Sequence, residues 1–267
     1  MRRSIVLIGC LLVMVDGVSA ETKLTGKQIF QLYRGAVVQV WVNNHFSGTG
    51  FVISADGLVV TANHVVATRE SKFREFGADI KVFVDGKPTF YPATPVSQDA
   101  ESRINYDSVV LRIEGHGFQH VSMGDWKDVD IEDDIFIIPH PDVGTMLLRG
   151  IVSGKGPART DFGPLPVNMI LFQCPVRNGF SGAPIFSPSG LVIGIVDTKV
   201  FGIAPALDEL RTAWLSSQSH GRVAIMGIDV GGSFIELINN LDQNLISGLG
   251  SGVDISYAKR EEETEKK

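Results

Sequence analysis

Three residues of this 267-residue chain could together do nucleophilic chemistry: His64, Asp107 and Ser181. Ser181 stands in RNGFSGAPIF, residues 177–186, a glycine-rich turn that runs into an apolar pair. A serine hydroxyl is a weak nucleophile at neutral pH and needs a base to take its proton. Histidine suits that task, because its charge changes close to physiological pH. Of the six histidines, His64 lies in TANHVV, directly after a hairpin signal. The base in turn needs an acid to hold its tautomer. Asp107 opens DSVVLRI, and a carboxylate just before an apolar strand calls for a hydrogen-bonding partner. Each residue alone has a plain reading: a turn serine, a satisfied histidine, a strand-start aspartate. In the order His, Asp, Ser they point to acyl transfer through an activated serine. No HExxH motif or paired Cys/His spacing is present, so neither a metal nor another cofactor is expected.

Short β-runs separated by turns must position these residues. The expected strands are Ala36–Val42, Gly50–Ile53, Leu58–Thr61, Ile80–Val84, Val109–Ile113, Ile135–Ile138, Leu147–Val152, Ile170–Phe172 and Leu191–Val196. Asp56-Gly57 and Asp85-Gly86 mark hairpin turns. Many short strands at close spacing predict an all-β barrel or sandwich. SADGLVV (residues 54–60) and SPSGLVI (residues 187–193) share one frame, and the echo is read as a trace of duplication into two β-units. Helical patterns are few. Leu207–Leu215 has a short one, and Phe234–Ile246, with Ser233 as N-cap, reads as a C-terminal amphipathic helix. Beyond it come Gly248, Gly250 and Gly252, then KREEETEKK, so residues 247–267 read as a disordered charged tail.

The composition is that of a globular protein, and a net charge of −6 argues against nucleic acid as a partner. Residues 1–20 have the layout of a cleavable signal peptide: Arg2-Arg3, an apolar run over Ile5–Val15, and small residues at Val18-Ser19-Ala20. The apolar run is too short to span a bilayer comfortably. The mature chain is therefore expected to be secreted or periplasmic, without membrane insertion after cleavage. Cys10 falls in the leader, which leaves Cys174 alone in the mature chain and rules out an internal disulfide there. Its apolar surroundings in sequence mark it as a buried small hydrophobe.

The chain resembles the trypsin-like serine proteases of the chymotrypsin fold, and most of all the protease domain of the HtrA (high-temperature-requirement) group. The resemblance is carried by GTGFVISADGLVVTANHVV (48–66), DSVVLRI (107–113), IIPHPDVGTMLLRGIVSG (137–154) and GFSGAPIFSPSGLVIGI (179–195). It implies two six-stranded antiparallel β-barrels with a C-terminal α-helix, over a protease domain at residues 21–246. His64 and Asp107 would come from the first barrel and Ser181 from the second. The amides of Gly179 and Ser181 would form an oxyanion hole. Val196, Asp197 and Thr198 would border the pocket for the substrate residue before the cut, favouring an aliphatic or small side chain there. An Asp197 pointing into that pocket would favour a basic residue instead. The partner implied is a protein or peptide substrate.

Three departures accompany the resemblance. Phe180 and Ala183 stand where the family has Asn and Gly. Pro139-His140-Pro141 replaces Gly-Asn-Pro, so His140 reads as a loop residue and not a second base. No PDZ-like segment is expected after the last strand, read near Val223–Ile228. The residues 200–221 are long for a strand connection and read as a loop that could cover the cleft. The implied function is a secreted serine endopeptidase. The alternative is a silent or latent relative that binds a protein through the same cleft.

Overall fold

The computed structural model describes residues 23–200 apart from 69–70, 88, 98 and 161–162. It also describes residues 213, 224–225, 228–229, 232–233, 236–237 and 247–266. The leader over 1–20 and nearly all of the loop expected over 200–221 and of the helices expected over 207–215 and 234–246 lie outside the described residues.

Valine-rich runs, most of them buried along much of their length, build the first barrel. Its strands are β1 (Val37–Val42), β2 (His45–Val52), β3 (Leu58–Thr61), β4 (Ile80–Val84), β5 (Phe90–Pro95) and β6 (Val109–Ile113). They close antiparallel in the order β1-β2-β3-β6-β5-β4. β-branched side chains pack well on a pleated surface, and Val38, Val40, Val59, Val82 and Val109 fill this barrel with Leu111 and Ile113. The second barrel consists of β7 (Asp134–Ile137), β8 (Leu148–Arg159), β9 (Pro166–Val176), β10 (Pro184–Phe186), β11 (Val192–Val200) and, after a two-strand ribbon β12 (Ala224–Ile225) and β13 (Ile228–Asp229), β14 (Ser247–Asp254). It closes as β7-β8-β9-β14-β11-β10. A third apolar cluster joins the barrels, with Phe51 and Leu58 from one side and Phe186 and Val253 from the other. Ile29 of α1 (Gly26–Tyr33) and Ala258 of the last helix complete it. The two six-stranded barrels and the closing helix match the fold expected from the resemblance.

Written by position within each barrel, the strand order is the same in both: first, second, third, sixth, fifth, fourth. The two echoing hairpins nonetheless do not correspond. SADGLVV joins β2 to β3, the second and third strands of its barrel. SPSGLVI joins β10 to β11, the fourth and fifth strands of the other. The echo is thus corrected as a sign of duplication. Both turns need a glycine at positive φ, Gly57 at 95° and Gly190 at 82°, before an apolar strand begins. Shared turn chemistry explains the likeness.

The disordered tail expected over 247–267 is also corrected. Residues 247–254 are β14, the strand between β11 and β9 that closes the second barrel, in place of the strand expected near 223–228. Two of the three alternating glycines that read as flexible, Gly250 and Gly252, are spacing residues. A Cβ on Gly250 would lie 2.5 Å from the Phe172 ring, and one on Gly252 would lie 2.3 Å from Ile185 Cδ1. The charged segment then forms α4 (Ser256–Glu265). Tyr257 of this helix stacks on Tyr106 at 5.4 Å, and Glu265 pairs with Arg112 of β6 at 2.8 Å. Among the described residues, no helix is long and apolar enough to cross a membrane.

Candidate active site

His64 lies on α2 (Asn63–Val66), a one-turn helix that follows β3. Asp107 ends α3 (Ala100–Tyr106) and precedes β6. Its backbone is left-handed, φ 40° and ψ 46°, a conformation that aspartate tolerates better than most residues. This bend turns both the carbonyl and the carboxylate of Asp107 onto α2. The Asn63 amide donates to the Asp107 carbonyl at 3.2 Å. The His64 amide donates to Asp107 Oδ1 at 2.9 Å, and His64 Nδ1 lies 2.5 Å from Oδ2. Asp107 is 0% exposed and His64 keeps 19% of its side-chain surface. Burial costs a carboxylate its hydration, and the two His64 contacts help to replace it.

The turn is braced from behind. Asn63, fully buried, donates from Nδ2 to the Phe73 carbonyl at 3.1 Å and accepts from Arg103 Nη1 at 2.7 Å. Arg103 is buried over the Phe76 ring, 4.1 Å from its centre, and also donates to the Arg74 carbonyl at 3.1 Å. Desolvation lowers its proton affinity from the usual guanidinium range.

Ser181 belongs to the second barrel but is held by the first as well. The Thr49 amide in β2 donates to the Ser181 carbonyl at 2.9 Å. Thr49 Oγ1 donates to the Gly179 carbonyl at 2.8 Å and accepts from the His140 amide at 3.1 Å. The Thr49 carbonyl accepts from Thr61 Oγ1 at 2.7 Å. Behind the serine, Gly182 has φ 84°, and a Cβ there would meet the Thr49 carbonyl oxygen at 2.1 Å. The two barrels approach so closely at this point that only glycine fits. Gly179, also at positive φ, precedes Ser181 in the same turn. The Ser181 hydroxyl donates to the Asp197 carbonyl at 3.3 Å.

Of the residues expected to border a substrate pocket, Val196 is buried in the core of the second barrel. The register of β11 against β14 shifts between Val196 and Thr198, which leaves Asp197 in a bulge. Bulges re-aim side chains. Asp197, 1% exposed, presents a carboxylate oxygen so that it, a His64 ring nitrogen and an Asp107 carboxylate oxygen all lie within 4.8 Å of one another. It therefore lies beside the histidine. The backbone of Thr198 pairs with Ser251, and its side chain lies outside the described set. The same trio is the group of described residues whose donor atoms are close enough to share a cation. The short His64–Asp107 contact commits two of those donors to each other.

His140, read as a loop residue, follows β7 and is buried against the ring of Phe83, 6.4 Å between centres. Burial lowers its proton affinity from the ordinary histidine value. Cys174 is buried, and desolvation pushes its thiol up to about 11. Thr49, Asn63 and Arg103 escape sequence reasoning. Thr49 stands between two glycines with no chemical signal of its own, because its partners lie as far as 130 positions away.

A family model for the trypsin-like peptidase domain matches residues 48–195. A probable periplasmic serine endoprotease, DegP-like, of Brucella suis biovar 1 (strain 1330) is 36% identical over 158 residues, covering 58% of this chain and 28% of that protein. Its counterpart in Pseudomonas putida (strain GB-1) is 32% identical over 155 residues, with 58% and 29% covered. The chain thus matches less than a third of the length of these curated relatives. A solved structure of the HtrA-type protease AlgW with a tripeptide superposes with a TM-score of 0.60 at 19% identity, over 89% of this chain and 62% of that one. At that identity the likeness is one of fold.

Proposed function

The chain belongs to the trypsin-like peptidase family, and from that premise we propose that it is a serine endopeptidase using His64, Asp107 and Ser181 as its triad. The observation that carries this reading is the grip of Asp107 on His64, through one backbone and one ring contact to the two carboxylate oxygens. A carboxylate at Nδ1 keeps the proton there and leaves Nε2 to act as the base. His64 takes the Ser181 proton as Oγ attacks the peptide carbonyl, then returns it to the leaving amine. Water reverses the sequence on the acyl-enzyme. Asp107 stabilises the imidazolium formed in each half-reaction. The amides of Gly179 and Ser181 receive the developing oxyanion, a role worth about 3–4 kcal/mol per donor in this chemistry.

The substrate is a protein or peptide, in keeping with a relative solved with a tripeptide. The small and apolar character of the chain around Ser181 favours an aliphatic or small residue before the cut. Residues 1–20 act as an export leader, which agrees with the periplasmic naming of the relatives. The second reading is a latent protease, and one observation favours it: the Ser181 hydroxyl is directed to the Asp197 carbonyl. Fluorophosphonate labelling of the mature protein beside Ser181→Ala, with casein cleavage in parallel, tests the proposal. Labelling of the wild type alone is expected. No labelling of a folded wild type at any pH from 5 to 10 would overturn the reading of an active enzyme.

A further inference from the structure

A trypsin-like triad needs one carboxylate beside its histidine, and this site has two. Asp107 reaches His64 from the end of α3, while Asp197 reaches the same group from the bulge in β11. Both are buried, at 0% and 1% exposure. Two carboxylates taken out of water this close together do not both stay bare; the group keeps a proton to higher pH than a single pair would. That proton has two resting places, a carboxyl oxygen or the imidazole. Histidine binds protons more than two pH units above aspartate in water, so the imidazole is favoured. The other titratable groups on this side oppose or stand apart. Arg103 is the nearby cation, bonded to Asn63 on the same helical turn as His64, and it weakens the effect of the carboxylates. His140 lies on the inter-barrel side, joined to the site through Thr49.

We propose that Asp197 is a positioning residue that holds His64 in its protonated form, so that the base becomes available only at a pH above that of a one-carboxylate triad. This rests on the triad proposed above. The backbone of the same residue adds a second restraint, since its carbonyl accepts the Ser181 hydroxyl. An imidazolium has no lone pair to accept that proton, and the serine is turned to the carbonyl. Asp197 therefore acts on both reacting partners from one bulge. A shift of β11 at this bulge, or loss of the shared proton, frees both together. The proton balance is simple: one proton leaves His64 to solvent, the net charge of the trio falls from −1 to −2, and Nε2 becomes an acceptor.

The test reads His64 directly. The imidazole signals of the full mature chain are titrated by NMR from pH 4.5 to 10, with EDTA present and His64→Gln used for assignment. Wild type is compared with Asp197→Asn and with the smaller Asp197→Ser, which guards against a variant that fails to fold. The His64 midpoint is expected to fall by at least one pH unit in either variant. Fluorophosphonate labelling at a pH between the two midpoints is expected to be about tenfold faster in the variants. Midpoints that agree within 0.3 unit, or a rise on substitution, overturn the proposal. A shifted His64 midpoint with no labelling in any protein keeps the proposal and defeats the endopeptidase reading, so the two failures are distinguishable.

Discussion

The two barrels share a strand order but hold their site residues in opposite ways. The first barrel fixes His64 and Asp107 with its own chain: a helix end, a one-turn helix and the bonds between them. The second barrel presents Ser181 on a turn whose carbonyls at 179 and 181 are anchored by Thr49 of the other barrel. One half of the site is thus assembled within a unit, and the other half depends on docking between units. Equal topology thus does not give equal support. A residue is as well placed as the elements that bond to it, and for Ser181 those include β2 of the neighbouring barrel as well as β11 of its own.

The comparison breaks most visibly at Asp107. Asp107→Asn keeps the left-handed bend, because asparagine also tolerates it. It no longer fixes the His64 tautomer, and turnover is expected to fall about ten-thousandfold with folding intact. Casein cleavage and circular dichroism, measured together, check this. A loss under tenfold would remove Asp107 from the mechanism.

Thr49→Val sharpens the comparison from the other side. The hydroxyl that donates to the Gly179 carbonyl and accepts from the His140 amide is lost, and two buried groups are left wanting. A cost of about 1–3 kcal/mol in stability is expected. Labelling at Ser181 should slow while the His64–Asp107 contact survives, visible as an unchanged Nδ1 proton resonance. Loss of that resonance would show that the first half of the site also depends on docking.

The smallest effect expected is on pH-dependent stability. His140 lies at the seam between barrels, and its proton affinity is lowered, first by desolvation. The unfolded chain binds this proton near pH 6.5 and the folded chain resists it. Stability is therefore complete above about pH 6.5 and declines as pH falls below it towards the folded value. Urea unfolding between pH 7.5 and 5 should show a flatter profile in His140→Phe. Equal slopes would mean that the histidine takes up its proton without cost, and that the seam is not acid-sensitive at this residue.

Much of the site was legible because turn chemistry and hydrophobic runs are local. The residues flanking His64, Asp107 and Ser181 carry their own signals: an Asp-Gly hairpin before one, an apolar strand after the next, a glycine-rich turn around the last. Glycines misled the reading twice, and for one reason. A glycine reports that no side chain is wanted, and not whether the cause is a turn or a close neighbour. Gly57 and Gly190 are turn residues whose likeness mimicked duplication. Gly250 and Gly252 are spacers under Phe172 and Ile185, and they resembled a flexible tail. The place of Asp197 beside His64 was not legible, because one bulge decides which way a strand residue faces, and bulges depend on the partner strand.

By itself the sequence determined the fold class and the family and singled out three candidate residues for the chemistry, because each rests on short motifs in a fixed order. Tertiary structure alone decided that β14 closes the second barrel, that Thr49 anchors the turn of Ser181, and that Asp197 faces His64. Those contacts join positions far apart in the chain. Their energies come from burial and from hydrogen bonds that exist only once both barrels have closed.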